Sequence, residues 1–174
     1  DLSKKIVALC PGSAWGTKKW PIEYFANLAL KLKQDHGVGL FILGSLKEEP
    51  LATYMEEHLK KYSSLESVWN LAGRTTLTDL KGIYPKIALL ISNDSSPVHF
   101  ASAFNIPTIA IFGPTTPQMG FSPLADQSNV VEHKALHCRP CHHHGPQRCP
   151  LKHFKCMREI TVDKVLNQCK NYLK

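Results

Sequence analysis

The most restrictive feature of this sequence is an apolar run, residues 87–91, that ends in polar residues and precedes an amphipathic segment opened by Pro97. The run contains no polar residue, which is typical of a strand buried on both faces. Ser95 or Ser96 is a suitable N-cap, and proline suits the first position of a helix. The chain is therefore expected to pass from a buried strand to a helix within about four residues.

The start of this predicted helix is a candidate site for an anion. The first N–H groups of a helix have no partner within the helix, and the helix dipole adds a partial positive charge there. Asp94 and His99 flank the position. The pattern favours a ligand that carries phosphate.

Further apolar runs of strand length alternate with amphipathic segments. The predicted strands span residues 6–10, 38–43, 68–71, 87–91, 108–112 and 129–132. The predicted helices span residues 21–36, 51–62, 77–84, 97–104 and 161–173, with Thr76 and Gly37 as caps. Such alternation is typical of a parallel sheet with helices on both faces, so we expect an α/β fold, a Rossmann-like three-layer domain.

Two loops of this predicted sheet are expected to form one crevice. If the strand order is 3-2-1-4-5, the first and fourth strands are neighbours where the order reverses. Ligands bind such sheets at the carboxyl ends of the strands near that point. The loops after these strands, residues 12–20 and 93–96, are also the most polar strand-to-helix loops of the chain.

Length and composition indicate one globular domain. The chain has 174 residues, of which 43% are hydrophobic and 20% charged, and its apolar runs are too short to span a bilayer. It opens with Asp1-Leu2-Ser3 and enters a strand directly, without a recognisable signal peptide or an initiator Met. We therefore expect a fragment or a processed chain.

The net charge of +7 leaves three interpretations open. It can reflect a solvated basic surface, an anionic ligand or an anionic membrane surface. Nucleic acid is disfavoured, because the chain has neither a long Lys/Arg block nor aromatic residues interleaved with basic ones.

Four of the six cysteines lie close together in the sequence. Cys138, Cys141, Cys149 and Cys156 fall within 19 residues, and several histidines lie among them. Without a signal peptide, reduced thiols or metal ligands are expected rather than disulfides. A structural zinc is one interpretation, and a reduced, partly packed loop near the crevice is the other. Cys10 and Cys169, outside this window, are predicted to be small buried hydrophobic residues.

Three motifs together resemble a known family. They are Pro-Gly-Ser-Ala-Trp-Gly with Lys-Lys-Trp-Pro at 11–21, Asp-Ser-Ser-Pro-Val-His at 94–99 and Ile-Phe-Gly-Pro-Thr-Thr-Pro at 111–117. In this order they resemble glycosyltransferase family 9, the ADP-heptose:lipopolysaccharide heptosyltransferases. The cysteine-rich segment resembles the heptosyltransferase II members in particular. Ser96 is a departure, because the family usually has glycine at this position.

The resemblance covers essentially the whole chain, but only the C-terminal half of the two-domain GT-B architecture of the family. It implies that residues 1–174 form the domain that binds the nucleotide-sugar donor, with a Cys/His-rich segment at 137–157. The N-terminal acceptor domain, which carries the expected general base, is then absent from this chain. The chain alone is expected to bind donor without turnover.

The activity implied by the resemblance is transfer of heptose from ADP-heptose to the inner core of lipopolysaccharide. The reaction is expected to invert the anomeric centre and to require no metal or other cofactor. The expected partners are the donor and, through the other domain, the lipopolysaccharide acceptor, with no nucleic acid. The expected location is the cytoplasm, at or near the inner face of the inner membrane.

The resemblance assigns the diphosphate to two loops. Ser13 and Ala14 are expected to hold phosphate from the first loop, and Ser95 and Ser96 from the second. Lys18 is expected to neutralise the diphosphate as charge develops on it, which makes it the catalytic residue of this chain.

Other residues are assigned to the sugar and the nucleoside. Asp94 is expected to hold sugar hydroxyls, His99 the diphosphate or ribose, Glu48 the ribose and Thr75 the adenine. Simpler interpretations stay open for three of them. Asp94 could cap its own loop, His99 could be a packed surface residue and Glu48 could be a solvated acid at a helix start.

Further alternatives concern neighbouring residues and the function itself. Lys19 adjoins Lys18, and Ser95 could serve only as a helix cap. Trp15 and Trp20 are predicted to pack rather than to offer stacking surfaces. For the whole chain, the alternatives are a GT-B glycosyltransferase with another donor and a non-catalytic nucleotide- or zinc-binding module.

Overall fold

The computed structural model describes residues 3–173, which contain a six-stranded parallel sheet. The strands are β1 (Ile6–Cys10), β2 (Gly39–Ile42), β3 (Val68–Asn70), β4 (Ile87–Asn93), β5 (Thr108–Phe112) and β6 (Ser128–Glu132). Their order in the sheet is β3-β2-β1-β4-β5-β6, and every neighbouring pair is parallel. The α/β fold and the order of the first five strands are confirmed.

Helices pack on both faces of the sheet. They are α1 (Ile22–His36), α2 (Glu49–Tyr62), α3 (Leu77–Ile83), α4 (Ser96–Ala103), α5 (Lys155–Arg158) and α6 (Val162–Cys169). Short 3-10 turns lie at Gly16–Lys18, Leu46–Glu48, Tyr84–Lys86 and Pro117–Met119. No helix within residues 3–173 is long and apolar enough to cross a membrane.

The predicted helix boundaries are right in some places and wrong in others. Gly37 ends α1 in the left-handed region with φ of 62°, and the Thr76 side chain caps α3, both as predicted. Pro97 takes the second position of α4 rather than the first, because the helix already begins at Ser96. The last helix is shorter than predicted, since the Thr161 side chain caps it and the helix ends at Cys169.

The side chains of β1 point alternately to the two faces of the sheet, so both faces need a layer of helices to cover them. Val7 and Leu9 pack into the core on the α1 face, whereas Ile6, Ala8 and Cys10 pack into the opposite core with Tyr84 and Ile106. All five residues of β1 are buried. A strand that buries both faces has a continuous apolar sequence, which explains the pattern of the central strands.

The carboxyl ends of β1 and β4 are tied together by one buried amide. Cys10 is aligned with Ser92, so the next residues of both strands leave the sheet side by side. The Asn93 side chain donates to the Pro11 carbonyl at 2.8 Å and accepts from the Trp20 backbone N–H at 3.0 Å. This amide fixes both ends of the first loop against β4.

Candidate functional site

A cavity of about 570 Å³ opens at the carboxyl ends of β1, β2 and β4. The predicted donor-binding residues all line it: Ser13, Ala14, Lys18, Glu48, Thr75, Asp94, Ser95, Ser96 and His99. The structure therefore brings these nine residues together at the predicted crevice. The ligand contact assigned to each of them stays a prediction.

Lys18 and Asp94 form a buried ion pair at the floor of the cavity. The Lys18 Nζ lies 2.6 Å from Asp94 Oδ2, and the two residues are 5% and 3% exposed. The Thr115 hydroxyl donates to the same Oδ2 at 2.6 Å. Both contacts use Oδ2, so Oδ1 is the atom that can accept a hydrogen bond from a ligand. This pairing was not predicted, because the two residues were expected to contact different parts of the donor.

Lys18, rather than Lys19, is the lysine of the first loop that lines the cavity. The 3-10 turn Gly16–Lys18 places consecutive side chains on different sides, and Lys18 lies 5.0 Å from the centroid of the Phe121 ring. An ammonium group between a carboxylate and an aromatic face is held in one position. Its charge is therefore placed in the cavity before a ligand arrives.

The first turn of α4 lines the cavity from the second loop. Ser95 is the N-cap residue, but its side chain makes no hydrogen bond to the helix N–H groups. Its Oγ instead contacts the carbonyl oxygen of Asn93 at 3.3 Å. The interpretation of Ser95 as a side-chain cap alone is therefore wrong. Pro97 has no N–H and the Val98 N–H donates to the Ser95 carbonyl at 3.1 Å, so the Ser96 N–H is the group that this helix start offers to an anion.

Glu48 is an acid at a helix start, as one interpretation has it, and its contact with ribose stays a prediction. Its Oε2 accepts hydrogen bonds from the Ser45 backbone N–H at 2.6 Å and the Ser45 hydroxyl at 2.9 Å, which caps the turn before α2. Its Oε1 lies over the backbone of Gly12, where an added Cβ would be 1.7 Å away. The same carboxylate thus caps the turn and lines the cavity.

The segment after β6 runs along the rim of the cavity and bonds to the first loop. The Thr17 backbone N–H donates to the Pro146 carbonyl at 3.2 Å. The Gly16 backbone N–H donates to the Gln147 side-chain oxygen at 2.9 Å. The Gln147 amide in turn donates to the Ala14 carbonyl at 3.0 Å. The Cys/His-rich segment is therefore a wall of the site.

A buried arginine anchors the beginning of this segment. The Arg139 guanidinium donates to the Glu132 carboxylate at 2.9 Å. It also donates to four backbone carbonyls, those of Phe112, Gly113, Thr115 and His133. Its side chain is 4% exposed. Nothing in the local sequence signals this role, because its acceptors come from the ends of β5 and β6 and from the residues that follow them.

The six cysteines are free thiols. Within residues 3–173, no three His, Cys, Asp or Glu side chains are grouped closely enough to hold a metal ion, so the zinc interpretation of Cys138, Cys141, Cys149 and Cys156 has no support. Burial, with the nearby Cys138 and Cys149 thiols, raises the pKa of Cys141. Burial also raises the pKa of Cys156 to about 11. These observations fit a reduced, partly packed loop. Cys10 and Cys169 are buried, as predicted.

The two tryptophans of the first loop differ. Trp20 is a packing residue, as predicted: it is 1% exposed and its indole N–H donates to the Ile160 carbonyl at 2.8 Å. Trp15 lines the cavity and stacks on His144, with ring centroids 6.1 Å apart and planes 8° from parallel. Trp15 therefore packs against the Cys/His-rich segment at the edge of the cavity, and its lack of a stacking role toward a ligand stays a prediction.

Sequence reasoning missed Thr115, Phe121 and His144 at this site. Thr115 follows the carboxyl end of β5, and that position was the available signal. Phe121 and His144 lie in irregular segments, where no periodicity indicates which side chains face the cavity. Only the packing of those segments on the first loop brings them there.

Comparison with known proteins finds relatives that are named as heptosyltransferases. The chain is 37% identical over 172 residues to lipooligosaccharide heptosyltransferase 2 of Campylobacter jejuni, which covers 98% of this chain and 52% of the relative. It is 30% identical over 131 residues to lipopolysaccharide heptosyltransferase 2 of Escherichia coli, covering 74% of this chain and 36% of the relative. This chain therefore spans about half the length of the Campylobacter relative.

A solved structure shares the fold. The structure of E. coli ADP-heptose lps heptosyltransferase II superposes with a TM-score of 0.77 and 25% identity, covering 98% of this chain and 46% of that one. The family model of glycosyltransferase family 9 (heptosyltransferase) matches residues 1–153. These matches agree with the motif order and with the sheet order, and the chain belongs to glycosyltransferase family 9.

Proposed function

We propose that this chain binds the ADP-sugar donor of a lipopolysaccharide heptosyltransferase. The observation that carries the proposal is the single cavity that gathers nine donor-site residues around the buried Lys18–Asp94 pair. Family membership supports it, and the E. coli protein of the same fold is an ADP-heptose heptosyltransferase. The proposed reaction is inverting transfer of heptose to the inner core of lipopolysaccharide.

The geometry suggests how the donor is held. The base is proposed to lie near Thr75, at the end of β3, and the ribose beside the Glu48 carboxylate. The diphosphate then meets the Ser13 loop and the Ser96 N–H at the start of α4. Lys18 adds a fixed positive charge where the leaving ADP gains negative charge, which stabilises the transition state. These groups can stabilise the leaving ADP themselves, so we propose no required metal or other cofactor.

The rest of the activity is proposed to lie outside residues 1–174. The general base and the lipopolysaccharide acceptor site belong, in this proposal, to a further domain of the complete enzyme. The net charge of +7 suits an enzyme that works on the cytoplasmic side of an anionic membrane. We propose association with that surface and no nucleic-acid partner.

Calorimetry with three nucleotides tests the proposal. The chain is expected to bind ADP more tightly than UDP or GDP by about tenfold or more, which corresponds to about 1.4 kcal/mol. A preference for UDP or GDP would favour a GT-B enzyme with another donor. If neither the folded chain nor the complete enzyme binds any of the three, the donor-domain proposal is wrong.

Gly12→Ala is expected to weaken ADP binding by about tenfold. The added methyl group would overlap the Glu48 carboxylate, which must then move away from the ribose position. The affinity is measured by calorimetry. Gly82→Ala is the matched control, because a Cβ there meets nothing within 4 Å, and it should bind ADP like the wild type. Wild-type affinity in Gly12→Ala would argue against a role for Glu48 at the ribose.

A further inference from the structure

Three aromatic rings from separate parts of the chain meet beside Lys18 in the cavity. Trp15 comes from the loop after β1, Phe121 follows the 3-10 turn after β5 and His144 comes from the Cys/His-rich segment. The His144 ring lies 6.1 Å from the Trp15 ring and 5.8 Å from the Phe121 ring, measured between centroids. Phe121 in turn lies under the Lys18 ammonium group. The donor-site predictions used none of these rings.

The position of His144 is set by the backbone that follows it. Gly145 has φ of +82°, and a Cβ there would lie 3.0 Å from Pro114 Cγ and 3.4 Å from Lys18 Cγ. Only glycine combines this conformation with such a close approach. The next residue, Pro146, accepts a hydrogen bond from the Thr17 N–H. His144 is therefore held at the rim, directly beside Lys18.

The sheet order indicates which part of a donor would reach these rings. Thr75, Leu77 and Leu80 line the cavity on the β3 side, and the residues proposed to meet the diphosphate lie after β1 and β4 in the centre. A donor with its base on the β3 side extends its sugar toward the β5 side. Phe121 enters the cavity from that side, after β5.

We infer that Trp15, Phe121 and His144 form the subsite for the sugar of the donor. This inference rests on the proposed function. A pyranose ring has apolar C–H faces and polar edges, so aromatic rings can cover a face while Asp94 Oδ1 and the Lys18 ammonium meet hydroxyl groups. The imidazole of His144 adds a hydrogen bond at the open rim. The three rings thus determine which sugar the site accepts.

The test compares ADP with ADP-heptose on the same variants by calorimetry. His144→Ala and Trp15→Leu are each expected to weaken ADP-heptose binding by about tenfold and to change ADP binding by less than about twofold, because neither ring contacts the Lys18 ammonium group. His137→Ala is the matched control, because this exposed histidine of the same segment does not line the cavity, and it should leave both affinities unchanged. Circular dichroism checks that each variant is folded.

The possible outcomes separate this inference from the proposed function. Equal weakening of ADP and ADP-heptose would place the rings at the diphosphate and overturn the sugar subsite. Unchanged ADP-heptose binding in both variants would overturn it as well. Failure of the wild type to bind ADP, in the chain and in the complete enzyme, would instead overturn the proposed function on which the subsite rests.

Discussion

Lys18→Met is expected to lower the free energy of unfolding by about 3–5 kcal/mol, because it leaves the Asp94 carboxylate buried without its cation. Methionine keeps most of the apolar length of the lysine side chain, so the change isolates the charge. The Thr115 hydroxyl still donates to Asp94 but cannot replace a positive charge. Chemical denaturation measures the loss, and calorimetry is expected to show at least tenfold weaker ADP binding.

Two further variants test whether the burial of the ion pair causes this loss of stability. Lys31→Met removes an ion pair with Asp163 whose length, 2.7 Å, is close to the 2.6 Å of the buried pair, but its side chains are 44% and 71% exposed, so little change in stability is expected. In the double variant Lys18→Met/Asp94→Asn, removal of the unpaired charge should restore much of the stability while ADP binding stays weak. A loss in Lys18→Met no larger than that in Lys31→Met would contradict the buried-pair argument.

Arg139→Ala is expected to destabilise the protein by a similar amount, about 3–5 kcal/mol. The change leaves the Glu132 carboxylate and four backbone carbonyls without their donor. It should also release the Cys/His-rich segment from β5, so that limited proteolysis cuts there earlier. Thermal unfolding and mass spectrometry of the fragments measure the two effects.

Conservative and distant changes serve as controls for Arg139. Arg139→Lys should not restore stability, because one ammonium group cannot reproduce the planar fork that reaches several acceptors at once. Arg148→Ala, at an exposed position of the same segment, should stay within about 0.5 kcal/mol of the wild type. Full stability of Arg139→Lys would show that charge alone anchors the segment.

The parts of the fold that follow from local rules were predictable. The apolar run that begins β4 and the Ser-Pro sequence after it indicated the strand, the turn and the helix, because burial and the start of a helix depend on a few neighbouring residues. The strand order followed from the alternation of elements and from the connection rules of such sheets. Motif positions after β1 and β4 then placed seven of the nine predicted residues in one crevice, and Glu48 and Thr75 follow β2 and β3.

The parts that depend on long-range packing were not predictable. Lys18 and Asp94 lie on different loops, so only the folded sheet shows that they pair. The acceptors of Arg139 are backbone carbonyls, which every residue has, so no sequence pattern marks them. Trp15 and His144 meet because two irregular segments pack together. Irregular segments have no periodicity, so their sequence does not indicate which side chains face the cavity.

The attachment of the first loop on two sides has a consequence for the affinity of a ligand that binds there. Asn93 holds the loop from the sheet, and Pro146 and Gln147 hold it from the rim. Its conformational entropy is therefore lost when the chain folds, rather than when a nucleotide binds. A preorganised loop lets the contact energy appear as affinity instead of offsetting an ordering cost. Under the proposed function, the Cys/His-rich segment thereby affects how tightly the diphosphate is held, although only His144 of that segment lines the cavity.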